Sequence, residues 1–478
     1  MKKSFSIVIL VALLFSCATK PSSVPPVTEE PEVEITLPED VGKTEKKIPA
    51  KQEEVTSQSF VANLETTLKA GSLEDALTLF SDLPQELKED DDLTLIHASL
   101  LLSSEDVGQS EKIASSLLEK NPQDTDVLYL NAMVAKAQGN TEKKNQFLKE
   151  IIQKDPKNTD VYVELGNDQM MRKNFEQARR YYLSATKSDS KNIDAWLGLA
   201  QSSYYEGKLK DAEIAFSKII ELDATHDMAW AFKAKLAAEE ENYHEATECV
   251  KKAISYEPNY ADHWTDLGRY YRYQGKNKEA IDAWTQAITV KPNNFVVYAY
   301  RASVYEENGE DAKALADYEK VLTLKKDYYP AFESCGVLYW KMENWAKARE
   351  YFEKAFIVNK KNISYPLMIS ATFLKEGNKT ANRAFFDKTA RNMDRMSLEY
   401  GMFRLFMDGY GANSVEQKIR KERSTTLKGK MLYYMGLFYD IYGNDQMANK
   451  YYTEVHDLQA PLFFEYRLNE WAFAKRNK

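Results

Sequence analysis

The sequence predicts an all-α fold in which a helix-turn-helix unit repeats along the chain. The first observation is a pattern of small and aromatic residues that recurs every 34 residues from position 57 onward. The second is that each repeat holds two amphipathic stretches with the 3.6-residue period of a helix. The third is a low content of turn residues, with 18 glycines and 14 prolines in 478 residues. The usual shares of about 7% glycine and 5% proline would give roughly twice as many. A turn-rich all-β fold is therefore disfavoured.

Charge and hydropathy exclude one class of function. The chain has 64 Lys and Arg against 73 Asp and Glu, which gives a formal net charge of −9. A nucleic-acid-binding surface requires a clear surplus of Lys and Arg, so we expect no nucleic-acid partner. Hydrophobic residues make up 44% of the chain, which suffices for a core, and the mean hydropathy of −0.55 indicates a soluble body.

Residues 1–16 are predicted to be a signal peptide. Two lysines precede an apolar stretch at 7–15, which is shorter than the about 20 residues that span a bilayer. The stretch ends Leu14-Phe15-Ser16-Cys17 and resembles the lipobox of bacterial lipoproteins, in which the cysteine receives the lipid. The resemblance implies lipid attachment at Cys17, although Phe15 is bulkier than the usual residue. An ordinary cleaved signal peptide is the alternative.

Residues 17–56 are predicted to be a tether that follows the lipidated cysteine. The stretch after Cys17 contains six prolines, nine acidic residues and five lysines, and it has no aromatic residue. Such a composition cannot bury enough apolar surface to offset the entropy of ordering. Prolines keep the backbone extended, so the tether would hold the folded body away from a membrane.

Residues 57–396 contain ten repeats in one register. Small residues occupy positions 8 and 20 of the repeat, large aromatic residues occupy positions 4 and 24, and proline occupies position 32. Examples at the first two of these positions are Trp196, Trp230 and Trp264 at position 4, and Ala200, Ala234 and Gly268 at position 8. The later positions carry Ala178, Ala212, Ala246, Ala280, Ala314 and Ala348 at position 20, Tyr182, Phe216 and Trp284 at position 24, and Pro122, Pro156, Pro258 and Pro292 at position 32. Small residues let two helix backbones approach, and large residues fill the space beside them. A single helix pair cannot bury its apolar face, so the repeats must stack.

The pattern resembles the tetratricopeptide repeat (TPR), most closely from 159 to 362. The resemblance implies a right-handed solenoid in which the first helix of each repeat lines a concave groove. Residues 397–428 break the register and are expected to be an irregular helical insert. Residues 429–478 are expected to form a further TPR-like unit and a capping helix.

Motifs for catalysis or metal binding are missing from the sequence. It contains no P-loop, HExxH, GxSxG or GxGxxG motif, and its five histidines have no partner at metal-ligand spacing. Cys249 and Cys335 lie three repeats apart and are expected to be buried hydrophobic residues rather than a disulfide. We therefore expect neither an enzyme nor a cofactor.

The TPR resemblance also implies which side chains face the groove, namely those at positions 2, 5, 9, 12 and 13. In the middle of the array these positions carry Tyr204, Tyr205, Lys235, Arg269, Arg272, Tyr273, Trp340 and Lys341. Aromatic residues and arginine are typical of protein-binding hot spots, and arginine can hold a carboxylate through two hydrogen bonds. The alternative is that Tyr204 and Tyr273 pack against the neighbouring repeat, whereas position 12, which carries Trp340, is not a core position.

An acidic residue recurs at position 2, in Asp92, Asp126, Asp160, Asp194 and Asp262. These carboxylates are interpreted as complements of the helix N-terminal dipole. A groove stripe for basic ligands is the alternative.

The sequence thus predicts a membrane-anchored TPR scaffold for protein–protein interaction in the bacterial cell envelope, at either leaflet of the outer membrane. Its partner would be a protein or a peptide held in the groove, and a homodimer could form through the end units. The main alternative is a surface-exposed adhesin, and a weaker one is an enzyme or glycan-binding protein that uses the aromatic groove.

Overall fold

The computed structural model describes residues 56–461 and 463–476. Cys17, the signal peptide and residues 17–55 of the tether lie outside the described residues. In the part described, every regular element is a helix, with 26 α-helices and one short 3-10 helix at Ala390–Asn392. The helices form two compact bodies, an N-terminal body that ends at Leu222 and a C-terminal body that begins at Asp223. Each is described by itself.

The N-terminal body contains eleven described α-helices, most of them in consecutive pairs. They are α1 (Ser57–Lys69), α2 (Leu73–Ser81), α3 (Gln85–Lys88), α4 (Asp91–Ser103), α5 (Val107–Lys120), α6 (Thr125–Ala137), α7 (Thr141–Lys154), α8 (Thr159–Met171), α9 (Phe175–Ser188), α10 (Ile193–Tyr205) and α11 (Leu209–Leu222).

The C-terminal body contains the other fifteen described α-helices. They are α12 (Asp227–Glu239), α13 (Tyr243–Tyr256), α14 (Ala261–Tyr273), α15 (Asn277–Val290), α16 (Phe295–Glu307), α17 (Asp311–Leu324), α18 (Tyr329–Lys341), α19 (Trp345–Val358), α20 (Ser364–Lys375), α21 (Lys379–Thr389), α22 (Leu398–Asp408), α23 (Ala412–Lys421), α24 (Thr425–Ile441), α25 (Asp445–Asp457) and α26 (Phe464–Arg476).

The all-α array of helix pairs is confirmed. From α4 to α19, a first helix of 13 residues alternates with a second helix of 14 residues. Polar residues begin many of these helices, as where the side chain of Asn192 accepts a hydrogen bond from the backbone N–H of Ala195. Such caps satisfy backbone donors that have no partner within the helix.

The turn between the two helices of a repeat requires a residue with positive φ. Gly207 adopts φ +82°, and a Cβ added there would meet no atom within 4 Å. Non-glycine residues occupy the same place in other repeats, with φ of 58° at both Lys173 and Glu241. The left-handed conformation is costly for residues that carry a Cβ, so these turns store backbone strain.

The small-beside-large pattern sets the spacing of the helices within a repeat. Ala280 is fully buried and Trp284 is 1% exposed. A Cβ added to Gly268 would lie only 2.3 Å from Nε1 of Trp284. Position 8 of this repeat therefore has to be glycine because the indole of α15 occupies the space where a side chain would start.

The aromatic residues at position 4 tie each first helix to the turn before it. Nε1 of Trp196 donates a hydrogen bond of 2.9 Å to the carbonyl oxygen of Ser190, and Nε1 of Trp264 donates one of 2.8 Å to that of Pro258. Their recurrence thus has a structural cause.

The segment that breaks the register is a pair of short helices. Helices α22 and α23 have 11 and 10 residues and are joined through Gly409 and Gly411, both with positive φ. Phe403 and Phe406 of α22 are fully buried. The segment therefore forms part of the core of the C-terminal body.

Candidate functional site

The predicted groove residues are divided between the two bodies. Tyr204 and Tyr205 lie on α10 of the N-terminal body, whereas Lys235, Arg269, Arg272, Tyr273, Trp340 and Lys341 lie on α12, α14 and α18 of the C-terminal body. We use the name inner face for the side of α12, α14, α16 and α18 that carries repeat positions 2, 5, 9, 12 and 13.

Residues at position 13 contact the preceding repeat. The ring of Tyr205 stacks on that of Phe175 at 5.2 Å, and the ring of Tyr273 stacks on that of Tyr243 at 4.6 Å. Tyr205 and Tyr273 nevertheless remain 53% and 61% exposed. These tyrosines therefore join adjacent repeats and still present ring surface to solvent.

Tyr204 and Lys341 are held by neighbouring side chains. The ring of Tyr204 lies edge-on to that of Tyr205, with 5.5 Å between the centroids. Nζ of Lys341 lies 2.5 Å from Oδ1 of Asp311 in the preceding repeat, and its side chain is 13% exposed. Lys341 is therefore bound within the protein rather than free for a ligand.

Lys235 and Arg269 flank one carboxylate on the inner face. Nη1 of Arg269 donates a hydrogen bond of 2.9 Å to Oδ1 of Asp266, and Nζ of Lys235 lies 4.0 Å from Oδ2. Burial raises the pKa of the Asp266 carboxyl above its ordinary value, while Lys235 and Arg269 oppose this shift. The Asp266 side chain is 13% exposed, whereas those of Lys235 and Arg269 are 38% and 43% exposed. The two cations consequently cover the acid and face solvent.

Arg272 already holds a carboxylate of its own chain. Nη2 of Arg272 lies 2.6 Å from Oε1 of Glu307, and Nη1 donates a hydrogen bond of 3.1 Å to Oδ1 of Asn277. The carboxylate contact expected from a ligand is therefore occupied by Glu307.

The expectation that position 12 of the ninth repeat lies outside the core is wrong. Trp340 is 3% exposed, and its ring lies edge-on to that of Trp345 at 4.8 Å. Helices α24 and α26 return to this part of α18, which no repeat pattern indicates. Trp340 instead lines a cleft of about 520 Å³ together with Trp345, Tyr433 and Trp471.

The last helix lies on the inner face of the C-terminal body. Nη1 of Arg467 donates a hydrogen bond of 2.8 Å to Oε1 of Glu306, and Nη2 lies 3.7 Å from Oε1 of Glu333. Further along the helix, Nζ of Lys475 lies 3.0 Å from Oε1 of Glu343. Repeat register alone carries no signal for these contacts because they join residues more than 130 positions apart.

Two of these glutamates are partly withdrawn from water. Burial raises the pKa of Glu306 and of Glu333, and Arg467 opposes the shift at both. The hydroxyl of Tyr365 donates a hydrogen bond of 2.9 Å to Oε2 of Glu333. The inner face near α16 and α18 is therefore acidic and is matched by the basic residues of α26.

A buried charge cluster in the N-terminal body was not predicted. Nζ of Lys144 lies 2.5 Å from Oδ1 of Asp168 and 3.1 Å from Oε1 of Glu164, and all three side chains are nearly inaccessible. Lys136 adds a contact of 2.7 Å to Oε2 of Glu164. Lys144 stands where most repeats have alanine, and this departure from the pattern was the available signal.

The acidic residues at position 2 lie in the first turn of their helices. Burial raises the pKa of Asp126 to about 6, with further contributions from Asp124, Asp160 and Asp92. The helix dipole should lower such a pKa. Desolvation and repulsion by the neighbouring carboxylates act in the opposite direction at Asp126.

The described residues also include two cysteines and several candidate metal-ligating residue types. Cys249 and Cys335 are free and buried, and burial raises the pKa of both thiols. No group of three or more His, Cys, Asp and Glu side chains within 56–461 and 463–476 is arranged to hold a metal ion. None of the helices that the structure describes is long and apolar enough to cross a membrane.

Comparison with known proteins identifies one family. The family model described as cilia and flagella-associated protein 70 C-terminal domain matches residues 70–328, which is more than half of the chain. A search of curated proteins gave no match.

Solved structures also match parts of the chain. A crystal structure of MamA is 26% identical, with coverage of 35% of this chain and 92% of that chain and a TM-score of 0.33. The pilF protein of Pseudomonas aeruginosa is 20% identical, with coverage of 43% and 94% and a TM-score of 0.39. The hetero-tetramer Cut9–Hcn1 of the APC/C is 17% identical, with coverage of 66% and 63% and a TM-score of 0.40. Scores this low say nothing about function.

Proposed function

The chain belongs to the TPR family of the cilia and flagella-associated protein 70 C-terminal domain, and from this premise we propose that its inner face binds a protein or peptide partner. As a member of this family it is a TPR scaffold for protein–protein interaction. The proposal adds the place of binding, at Lys235, Arg269 and Tyr273, and a tether to a membrane at Cys17.

The observation that carries the proposed binding surface is the pair of cations over Asp266. Arg269 has five N–H donors, and its side chain is 43% exposed beside Tyr273, which is 61% exposed. An exposed guanidinium next to an aromatic ring is a typical anchor in protein interfaces. A partner segment that carries a carboxylate beside an apolar residue would fit this surface.

Affinity capture with the full chain tests the binding surface. Three baits are compared: the wild type, a double variant with Lys235→Glu and Arg269→Glu, and a control with Arg180→Glu. Arg180 suits the control because its side chain is 63% exposed and its ion pair among the described residues is with Glu176 of the same helix. We expect a protein captured by the wild type and the control to be lost with the double variant. Equal capture by all three would reject the inner face as the site. Arg272 is left unchanged because it stabilises the contact with Glu307.

We propose lipid attachment at Cys17 because the lipobox-like sequence lies at the end of the apolar stretch. Mass spectrometry of the N-terminal peptide tests this: a diacylglycerol-modified Cys17 supports the anchor, and an unmodified peptide that begins elsewhere rejects it. Protease treatment of intact cells then separates a scaffold facing the periplasm, which is protected, from a surface adhesin, which is cleaved.

The name of the family, which refers to cilia and flagella, favours a second location. A scaffold of that kind would sediment with the ciliary or flagellar fraction, whereas the lipid-anchored scaffold would sediment with the envelope. Fractionation of wild-type cells beside a Cys17→Ser variant distinguishes the two, because only the envelope location depends on the cysteine.

A further inference from the structure

The last helix presents one continuous stripe to the inner face of the C-terminal body. Phe464, Arg467, Trp471 and Lys475 follow the spacing i, i+3, i+7 and i+11, which places them on the same side of an α-helix. Trp471 lines the cleft that also contains Trp340. The stripe thus alternates aromatic and basic residues, in the manner of helices that dock in grooves.

The inner face and the residues beside it on α19, α20 and the turn after α18 complement this stripe in both charge and shape. Arg467 and Lys475 reach Glu306 and Glu343 at 2.8 and 3.0 Å. Phe464 stacks on Phe352 and on Tyr365, with centroid distances of 6.0 and 6.1 Å. The acidic side chain of Glu306 is only 10% exposed, so a cation from another segment has to offset its desolvation.

Phe464 and Leu468 bury α26 in the core, but two other features lower the stability of its docked state. The side chains of Arg467 and Lys475 are 41% and 59% exposed, and ion pairs so accessible to water contribute little. In addition, Oε2 of Glu465 and Oδ1 of Asn469 are buried without a hydrogen-bond partner among the described residues. Buried polar atoms left unpaired oppose packing, and two of the four such side-chain atoms among the described residues lie on α26. The docked state of α26 therefore carries a cost.

We propose that α26 is an internal ligand of this surface, and that a partner helix with the same order of aromatic and basic residues displaces it. The inference rests on the proposed function as a protein-binding scaffold and names the partner's chemistry: an amphipathic helix that presents aromatic, basic, aromatic and basic residues at i, i+3, i+7 and i+11. Such a helix forms the same contacts with Glu306, Glu343 and the cleft.

The test uses the full chain and a fluorescent synthetic peptide of residues 461–478 as the probe. One variant carries Arg467→Glu and Lys475→Glu, which weakens the internal contact at two exposed positions. The control carries Arg404→Glu and Lys450→Glu, because these side chains are 55% and 45% exposed and their ion pairs do not involve α26. When α26 occupies the site, only the fraction of molecules with a free site can bind the added peptide. The apparent affinity for the peptide is therefore reduced by that fraction.

We expect the first variant to bind the peptide roughly 3- to 10-fold more tightly than the wild type and the control. This range follows from losing the partly exposed ion pairs of Arg467 and Lys475. A peptide in which both basic residues are replaced by glutamate should not bind. Circular dichroism and melting of each variant verify that the fold is kept.

Three results would overturn the inference. The first is an equal affinity for wild type and variant, and the second is binding of the charge-reversed peptide. The third is dimerisation of the variant in sedimentation at the concentrations used, because the surface would then take the last helix of a second copy instead. Partner capture that depends on Lys235 and Arg269 is measured in a separate experiment. The proposed function can therefore stand when this inference fails, and this inference can stand when the proposed binding surface fails.

Discussion

Nη1 of Arg467 donates a hydrogen bond of 2.8 Å to Oε1 of Glu306, although the two residues are 161 positions apart. This contact shows that the C-terminal body is not a simple row of repeats in which each helix meets only its neighbours. The last helix covers the acidic part of the inner face, whereas the part that carries Lys235 and Arg269 stays exposed to solvent.

Replacing Gly268 with alanine should destabilise the C-terminal body. The added Cβ would lie 2.3 Å from Nε1 of the buried Trp284, and overpacking of this kind costs about 1–3 kcal/mol. Urea denaturation should show a lower midpoint. Gly108→Ala is the matched control, because there a Cβ would meet only Oδ1 of Asp106, at 4.0 Å. An unchanged midpoint for Gly268→Ala would contradict the close approach of α14 and α15.

Replacing Glu241 with glycine should stabilise the protein by up to about 1 kcal/mol, since glycine adopts the left-handed conformation without a steric penalty. Glu241 has φ 58° at a turn where other repeats have glycine. The converse variant, Gly207→Ala, should lose stability although its Cβ would meet no atom within 4 Å. Thermal melting of both variants checks the pair, and shifts in the same direction would refute the backbone explanation.

Replacing Lys144 with alanine should destabilise the N-terminal body even though alanine is the usual residue of the repeat at this position. The change leaves Asp168 buried without its cation and leaves Glu164 with Lys136 as its remaining partner. Breaking a buried ion pair in this way costs about 3–5 kcal/mol. Adding Glu164→Gln and Asp168→Asn should recover part of the loss. Lys149→Ala, an exposed change on the same helix, is the control for denaturant unfolding. A stable Lys144→Ala protein would show that the cluster contributes nothing.

Replacing Asp126 with asparagine should stabilise the protein at neutral pH. The pKa of Asp126 rises from 3.8 to about 6 on folding, so the folded state binds the proton more tightly than the unfolded state. Stability therefore falls as the pH rises from about 4 to about 6. The Asn variant cannot lose stability in this way. We expect its free energy of unfolding at pH 7.5 to be higher by on the order of 1 kcal/mol, which raises its melting temperature. The difference from the wild type should shrink towards pH 4. A difference independent of pH would reject the assignment.

The repeat register is the part of the fold that could be read from the sequence, because each repeat imposes the same local packing. Ala178 and Ala280 were expected between the two helices of a repeat and are fully buried. The stacking of Tyr273 on the neighbouring repeat agrees with one of the two interpretations that the sequence allows for this residue. These features depend on residues within one or two repeats, where periodic patterns carry information.

The burial of Trp340 and the contact of Arg467 with Glu306 could not be predicted in the same way. Both depend on the path of the chain after residue 396, where the register is lost and short helices replace full repeats. Lys144 likewise showed only that a repeat was atypical. Its carboxylate partners Glu164 and Asp168 lie in the next repeat, and their ion pairs become visible only from the packing.

Hydrogen exchange of the last helix is the most direct measurement of its docking on the inner face. Amide exchange over residues 464–476 is compared in the wild type, in Arg467→Glu and in the charge swap Arg467→Glu with Glu306→Arg. We predict faster exchange in the single variant and recovered protection in the swap, because the swap restores an ion pair at the same place. Equal exchange in all three proteins would contradict the docking of α26 through this contact.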